Sequence, residues 1–316
     1  MTRNKLRILT WHVHGNYLYY LTQVPHTFYV LKDAARSPGY AGRAGNLPWG
    51  DNVVELPVEA ARDTEFDCIL YQSQQGWTQD REKLLSEAQR RLPRIYIEHD
   101  PPREHPTDTR HPVDDPDALL VHVTHFNRLM WDNGRTPSRV VEHGVKLPEG
   151  IRYDGRLPRG IAVVNHMAQR GRRLGVDIYE MARRKLGIDL VGMDSERVGG
   201  IGEIPNPELP AFMAQYRFYF HPVRWTSLGL AAIEAMMIGL PLVGLATTEL
   251  ATVIRNGENG FIDTSPERLI EHMRRLTTSP PEAAELGAAA RREALWRFNI
   301  ERFVADWQKV FRDVTQ

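Results

Sequence analysis

The sequence predicts an α/β protein of two domains, each built on a parallel sheet with helices on both faces. Three observations point there. Short apolar runs of strand length recur along the chain, with helical patterns between several of them, as strand–helix–strand units produce. The 316 residues are many for one core and suit two domains of roughly 150 each. A run rich in Pro and Gly, Leu147–Arg159, reads as the linker.

Taken in order, Leu6–Trp11 reads as a first buried strand, His12-Val13-His14-Gly15-Asn16 as its loop, and Tyr17–Thr22 as the start of a helix. Further strands are expected at Thr27–Leu31, Val53–Leu56, Phe66–Tyr71, Arg94–Ile97 and Ala118–Thr124. Helical spacing is clearest over Asp80–Leu92 and His125–Asn133. Ligands of parallel sheets bind beyond the strands' carboxyl ends, so the loops after Trp11, Tyr71 and Ile97 are the ones to read for chemistry.

Beyond the linker a second set begins. Gly160–Asn165 is a strand, Leu174–Leu186 a helix, Ile188–Gly192 a strand, Pro207–Gln215 a helix and Tyr216–His221 a strand. Asn256–Ile262 is a turn and strand, and Pro266–Leu276 and Glu282–Phe298 are long helices. Phe303, Trp307, Val310 and Phe311 then fall at helical spacing in a last amphipathic helix. The expected boundaries are 1–147, 148–298 and a terminal helix over 299–316.

Composition excludes several classes. Lys plus Arg and Asp plus Glu both total 40, so no long-range field favours nucleic acid or an anionic membrane. The basic residues are mostly arginine, which suits phosphate recognition and equally suits a GC-rich or thermophilic genome. The one cysteine, Cys68, excludes an internal disulfide and a cysteine zinc site and fits a reducing cytoplasm. Met1–Arg7 leads straight into a strand without a signal peptide's apolar region. No apolar run approaches the ~20 residues of a membrane span, which leaves at most peripheral membrane contact.

The chain is organised around Thr226–Val243. A small-residue turn with Ser227 as a candidate N-cap runs into an apolar helix, which breaks at Gly239-Leu240-Pro241 before a short strand. Leu230, Ile233 and Met237 recur at helical spacing, and Ala231, Ala232, Met236 and Ile238 make the remaining surface apolar too. Such a helix is buried. Its amino end carries orphan donors and about half a positive charge, which favours an anion such as phosphate, and Gly229 lets the backbone come close to it. Glu234 inside that helix must find donors, from the protein or from a ligand.

This stretch resembles the family-4 retaining glycosyltransferases. Their signature reads Glu-Gly-Phe-Gly-Leu, with a second Glu eight positions after the first and then Ala-Met-Ala-x-Gly-x-Pro-Val-Val. Here Ser227-Leu228-Gly229-Leu230 matches the turn and Glu234 the second Glu, followed by Ala235–Val243, while Thr226 stands at the first Glu. The resemblance implies a GT-B architecture: two Rossmann-like domains facing across a cleft, with the terminal helix crossing back to the first. It also implies that Glu234 binds the nucleotide ribose and that the Ser227–Leu230 turn binds the diphosphate. The family's first Glu contacts the donor sugar, and neutral Thr226 keeps only a hydroxyl for that contact.

Two further segments resemble family loops. Asn165–Asp177 is similar to a Gly-Arg-x-x-x-x-Lys-Gly-x-Asp loop whose Arg and Lys bind the diphosphate. Gly175-Val176-Asp177 matches its end, but Leu174 takes the Lys position, so the charge falls to Arg170, Arg172 or Arg173, with Arg170 and Arg173 preferred. Ile97-Glu98-His99-Asp100 resembles the family's His-Asp stretch, which implies that His99 lies by the donor sugar. The loop with His14, Gly15 and Asn16 occupies the family's first glycine loop, which faces the diphosphate; Gly15 allows close approach, and His14 or Asn16 can donate. His105 and His111 are too irregularly spaced with the nearby Asp residues to argue for a metal site.

The implied activity is metal-independent, retaining transfer of a sugar from a UDP- or GDP-sugar to a hydroxyl of a glycan, a lipid-linked or a small-molecule acceptor. No cofactor is expected. The acceptor is expected near Tyr17–Tyr20 and Gln72–Trp77, whose aromatics either stack on sugar rings or form core. Two other classes stay open. Thr226 and Leu174 suit a degenerate sugar-nucleotide-binding partner of another transferase, and the same architecture serves sugar-nucleotide epimerases, which need carboxylates that Thr226 does not supply.

Overall fold

The computed structural model describes residues 5–316; Met1–Asn4, the start of the expected amino-terminal stretch, lie outside them. The chain divides into two units, one running to Gly144 and including Ile300–Gln316, the other Val145–Asn299.

The first unit is a seven-stranded parallel sheet of β1 (Arg7–Thr10), β2 (Thr27–Lys32), β3 (Val53–Pro57), β4 (Cys68–Tyr71), β5 (Arg94–Glu98), β6 (Ala118–His122) and β7 (Ser138–Val140). Their spatial order is β3-β2-β1-β4-β5-β6-β7. Leu9 pairs with Tyr29 on one side and Ile69 on the other, so β1 and β4 are central and bracket the point where strand order reverses. All four β4 residues are buried, as a strand covered on both faces requires.

The helix expected over Asp80–Leu92 is instead broken. A π-type turn at Gly76–Asp80 leads into Arg81–Leu84, and a separate helix covers Glu87–Arg90. Ser86 makes the break: its Oγ accepts from Gln89 N at 3.2 Å while its own amide donates to Gln89 Oε1 at 2.8 Å. This local capping box outweighs the apolar periodicity. Likewise the helix expected to reach Asn133 stops at Met130, where Trp131 turns extended and donates through Nε1 to Asp100 O at 2.8 Å.

The terminal helix, Ile300–Thr315, packs on the first unit and buries Phe303, Trp307, Val310 and Phe311. It comes close at Gly144, where any Cβ would overlap the Phe303 side chain. Tyr17 meets Phe303 edge-on at 5.6 Å and Phe311 meets Phe28 at 6.3 Å. Arg302 donates to the carbonyls of Glu142 and His143 at 3.0 and 2.5 Å. Trp307→Ala removes a fully buried indole and is expected to destabilise the first unit by about 3–5 kcal/mol, read as a lower urea midpoint for that unit.

The second unit is a five-stranded parallel sheet of β8 (Leu157–Val163), β9 (Ile188–Val191), β10 (Tyr216–His221), β11 (Leu242–Leu245) and β12 (Gly260–Asp263). Their order, β12-β11-β10-β8-β9, places the reversal between β8 and β10. β8 begins inside the segment read as linker, and its pairing with β10 slips between Tyr216 and Phe218. Gly160 admits the Phe218 ring there, since a Cβ would overlap it. The helix expected from Leu174 starts at Val176 and ends at Arg183, because Gly175 takes φ +80° and interrupts the turns before it. The apolar Leu230–Ile238 helix stops at Gly239 with φ +107°, at the expected break.

Candidate functional site

In each unit the candidate residues gather beyond the carboxyl ends of strands at or next to the reversal of strand order: after β1 and β5 in the first unit, after β8 and β10 in the second. In the second unit the loop after β8 carries Arg170 and Arg173 through two short helical turns, Met167–Arg170 and Gly171–Leu174. Leu174, at the position where the resemblance wants a cation, is 5% exposed and belongs to the hydrophobic core. Gly175 closes the loop, and a Cβ on it would overlap the Pro222 carbonyl oxygen. The two loops therefore touch backbone to backbone.

Arg224, which sequence reasoning missed, ties them together. Its guanidinium donates to both Asp177 oxygens at 2.6 and 2.8 Å and to Arg172 O at 2.6 Å. The amides of Arg224 and Trp225 donate to Arg173 O at 3.0 and 3.2 Å. Arg172 also pairs with Asp177 at 2.5 Å, whereas Arg170 makes no ion pair among the described residues. The Arg224 hydrogen bonds hold the Asp177 carboxyl below its ordinary range. Nothing in sequence spacing links Asp177 to Arg224; only the packing of adjacent strand ends does.

This pair yields a signed prediction. A depressed carboxyl contributes stability that is present above its ordinary pKa, near 4, and lost as pH falls through the lower folded value. Arg224→Met is expected to remove about 1 kcal/mol or less, because the pair is about one-third exposed, and to flatten that part of the acid limb. Thermal midpoints of both proteins from pH 7 to pH 3 would show it.

The loop after β10 delivers Thr226, half-buried, then buried Ser227 and Leu228. Ser227 is not the N-cap: the helix starts at Leu230, Gly229 holds the cap position, and no side chain caps the first turn. The first-turn amides are thus left without a side-chain acceptor at the sheet's switch point. Glu234, in the second turn, is 2% exposed. Burial first, then its negative charge, raise the phenol of Tyr219 on β10, whose hydroxyl donates to Val163 O at 3.3 Å. His221, at the end of the same strand, is pushed down to about 4 by burial and is neutral at pH 7. Its ring neighbours Gly229, and neither it nor Tyr219 carried a sequence signal. Glu249, beyond β11, is a buried partner of Arg297 at 2.9 Å.

In the first unit, a cavity of about 600 Å³ opens where the loops after β1, β4 and β5 meet, lined among others by His14, Gln72, Tyr96, Glu98, His99 and Trp131. His99 is 9% exposed, with the His14 ring centroid 4.0 Å away and Tyr17 edge-on at 4.7 Å. Burial, and then the neighbouring His14 and His143, lower its pKa well below the ordinary histidine value. Gly15 lets the chain turn tightly over the His12 ring, whose Nε2 would lie 2.9 Å from an added Cβ. Tyr17, Tyr20 and Trp77 are buried, so these aromatics are core; Tyr19 is half-buried against Trp49. His111 is buried and bonded to Glu98 Oε2 at 3.0 Å. The structure thus brings His14, Gly15 and His99 together in one unit, and Arg170, Arg173, Thr226–Leu230 and Glu234 in the other.

Residues 194–293 match the family model described as glycosyl transferases group 1, a span that contains β10, the Thr226–Gly229 loop and the Glu234 helix. The matched span lies within the second unit. A segment is also 31% identical over 118 residues to D-inositol 3-phosphate glycosyltransferase 1 of Catenulispora acidiphila, covering 34% of this chain and 28% of that protein. The chain spans less than a third of the length of the curated relatives it matches. Among solved structures, sucrose-phosphate synthase from Thermosynechococcus elongatus superposes with TM-score 0.70 at 16% identity, covering 98% of this chain and 99% of that one. Anabaena HepE in complex with UDP-glucose gives TM-score 0.68 at 12% identity, covering 98% and 100%. At such identities the likeness establishes the fold, which is GT-B, with two Rossmann-like units, the second of which contains the span matched by the glycosyl transferases group 1 model. Among the described residues no helix is long and apolar enough to cross a membrane.

Proposed function

We propose that the chain is a retaining glycosyltransferase that moves a sugar from a nucleoside-diphosphate sugar, UDP- or GDP-linked, to a hydroxyl of a glycan, lipid-linked or small-molecule acceptor. One observation carries the reading: at the second unit's switch point, an apolar helix presents a first turn capped by no side chain and buries a carboxylate in its next turn. The amides of Ser227–Leu230 take the diphosphate, and Glu234 accepts from the ribose hydroxyls. Arg170 and Arg173 add positive charge as the leaving group departs, which supplies without a metal the stabilisation the step needs. Thr226 hydrogen-bonds a donor-sugar hydroxyl. The first unit's cavity, with His14 and His99, takes sugar or acceptor hydroxyls. The UDP-glucose complex of HepE favours a uridine donor.

Chemically, the acceptor oxygen bonds to the anomeric carbon on the face from which the bond to phosphate oxygen breaks. The acceptor's proton passes to the departing diphosphate. No side chain need act as nucleophile, so the protein contributes orientation and charge stabilisation. With a glycan acceptor the reaction is a step of polysaccharide assembly, and the one cysteine, Cys68, fits a cytoplasmic setting for it.

A second reading, a sugar-nucleotide-binding partner of another transferase, is favoured by neutral Thr226 and by the burial of Leu174. One experiment separates them. The purified chain is screened for thermal stabilisation by UDP, GDP, ADP and TDP with their sugars, then given acceptors in chelator, and the product's anomeric configuration is read by NMR. Transfer with retention supports the first reading. Nucleotide binding without transfer supports the second, and the absence of both sinks each.

A further inference from the structure

We propose that Gln72 is a positioning residue that holds His99 in one tautomer, Nε2 protonated and Nδ1 left as a hydrogen-bond acceptor for a hydroxyl in the first unit's cavity. What Nδ1 accepts from rests on the sugar-transfer reading; the tautomer does not.

Donors and acceptors around Gln72 fix the proton. Gln72 follows β4 and is 4% exposed, so its amide must be satisfied within the protein. Its Nε2 donates to Thr10 Oγ1 and to Trp11 O, both at 3.1 Å. A carbonyl oxygen only accepts, so Trp11 O determines which way the amide faces. Gln72 Oε1 is thereby turned to His99 Nε2, 3.3 Å away. An amide oxygen also only accepts, so Nε2 must carry the hydrogen. A neutral imidazole has one N–H, and Nδ1 therefore keeps its lone pair.

Two further observations bear on that lone pair. His99 lines the cavity of about 600 Å³, and among the described residues none hydrogen-bonds Nδ1. The buried ring is held neutral by its surroundings and stays an acceptor at pH 7. Gln72 reaches back to the end of β1 while His99 leaves the end of β5, so the amide spans the switch point and anchors the ring to the sheet. A tautomer chosen in this way removes one of the two orientations in which a hydroxyl could be received.

The test needs the full chain with nitrogen-15 histidine, His99 assigned by the signals missing from His99→Asn. Two-bond proton–nitrogen correlation at pH 7, without substrate, is expected to show a neutral ring protonated on Nε2. A ring protonated on Nδ1, or on both nitrogens, overturns the proposal in the unaltered protein. Gln72→Met is then expected to mix the tautomers and lower kcat about 10-fold with KM for the nucleotide sugar within about twofold. Gln72→Glu keeps an acceptor oxygen toward Nε2 and is expected to retain the tautomer and more of kcat. Mixed tautomers with unchanged kcat overturn the positioning role. A chain with the expected tautomer that transfers no sugar to any acceptor overturns the transfer reading and the role of Nδ1 with it, leaving the tautomer lock standing.

Discussion

Glu234→Ala is expected to weaken nucleotide-sugar binding and kcat/KM by about 10²–10³-fold while the ligand-free protein stays folded. A carboxylate that accepts from two ribose hydroxyls makes charge-assisted bonds, each contributing about 1.5–3 kcal/mol, and their joint loss is two or more decades. Opposing this, a carboxylate that is 2% exposed inside an apolar helix is held there against a desolvation penalty. Glu234→Gln keeps the side chain's size and its hydrogen-bonding capacity, so it is expected to change the ligand-free thermal midpoint little while losing the stabilisation that UDP gives the parent. The two variants together separate binding from folding. A Glu234→Gln protein that UDP stabilises as well as the parent would falsify the ribose assignment, and a large drop in its ligand-free midpoint would mark Glu234 as structural.

Gly175→Ala is the second large effect expected, and it acts through backbone rather than charge. At φ +80° an alanine costs roughly 1–2 kcal/mol over glycine. The greater penalty is steric: the new methyl would overlap the carbonyl oxygen of Pro222, which a backbone-to-backbone contact cannot accommodate by rotating a side chain. The loops after β8 and β10 must part, and with them the Arg224–Asp177 pairing and the placement of Arg170, Arg173 and the Ser227–Leu230 amides. The total is expected at about 3 kcal/mol or more for the second unit, a fall of roughly 6–12 °C in its thermal midpoint, with donor binding lost. Ala in place of neighbouring Val176, half-buried at a helical position, serves as the control and should change both far less. Equal behaviour of the two variants would show that the loops do not need this contact.

Several elements could be read from sequence because they are local. Gly239 breaks its helix in a left-handed conformation, as Gly-Leu-Pro promised, and the spacing of Phe303, Trp307, Val310 and Phe311 marked the buried face of the terminal helix. Other expectations failed where a side chain far along the chain, or a capping pair within it, changed the balance. Ser86 and Gln89 cut one apolar helix pattern in two, and Gly175 delayed the start of another. Ser227 lies too early to cap, so Gly229 takes that position and leaves the amides open. The paired aromatics of Tyr17 and Tyr20 proved to be core; Tyr17 packs against Phe303 of the terminal helix, distant in sequence.

By itself, then, the sequence determined the alternation of strands and helices, the apolar helix with one acid in it, and the arginine-rich loop, because each is a property of neighbouring residues. Tertiary structure alone decided that Leu174 sinks into the core, that Arg224 reaches across to Asp177, and that Gln72 faces His99. Those outcomes depend on which strands lie side by side. In a parallel sheet, adjacent strands are joined by long crossovers, so the residues that meet at their carboxyl ends are dozens of positions apart and share no spacing a single sequence can display.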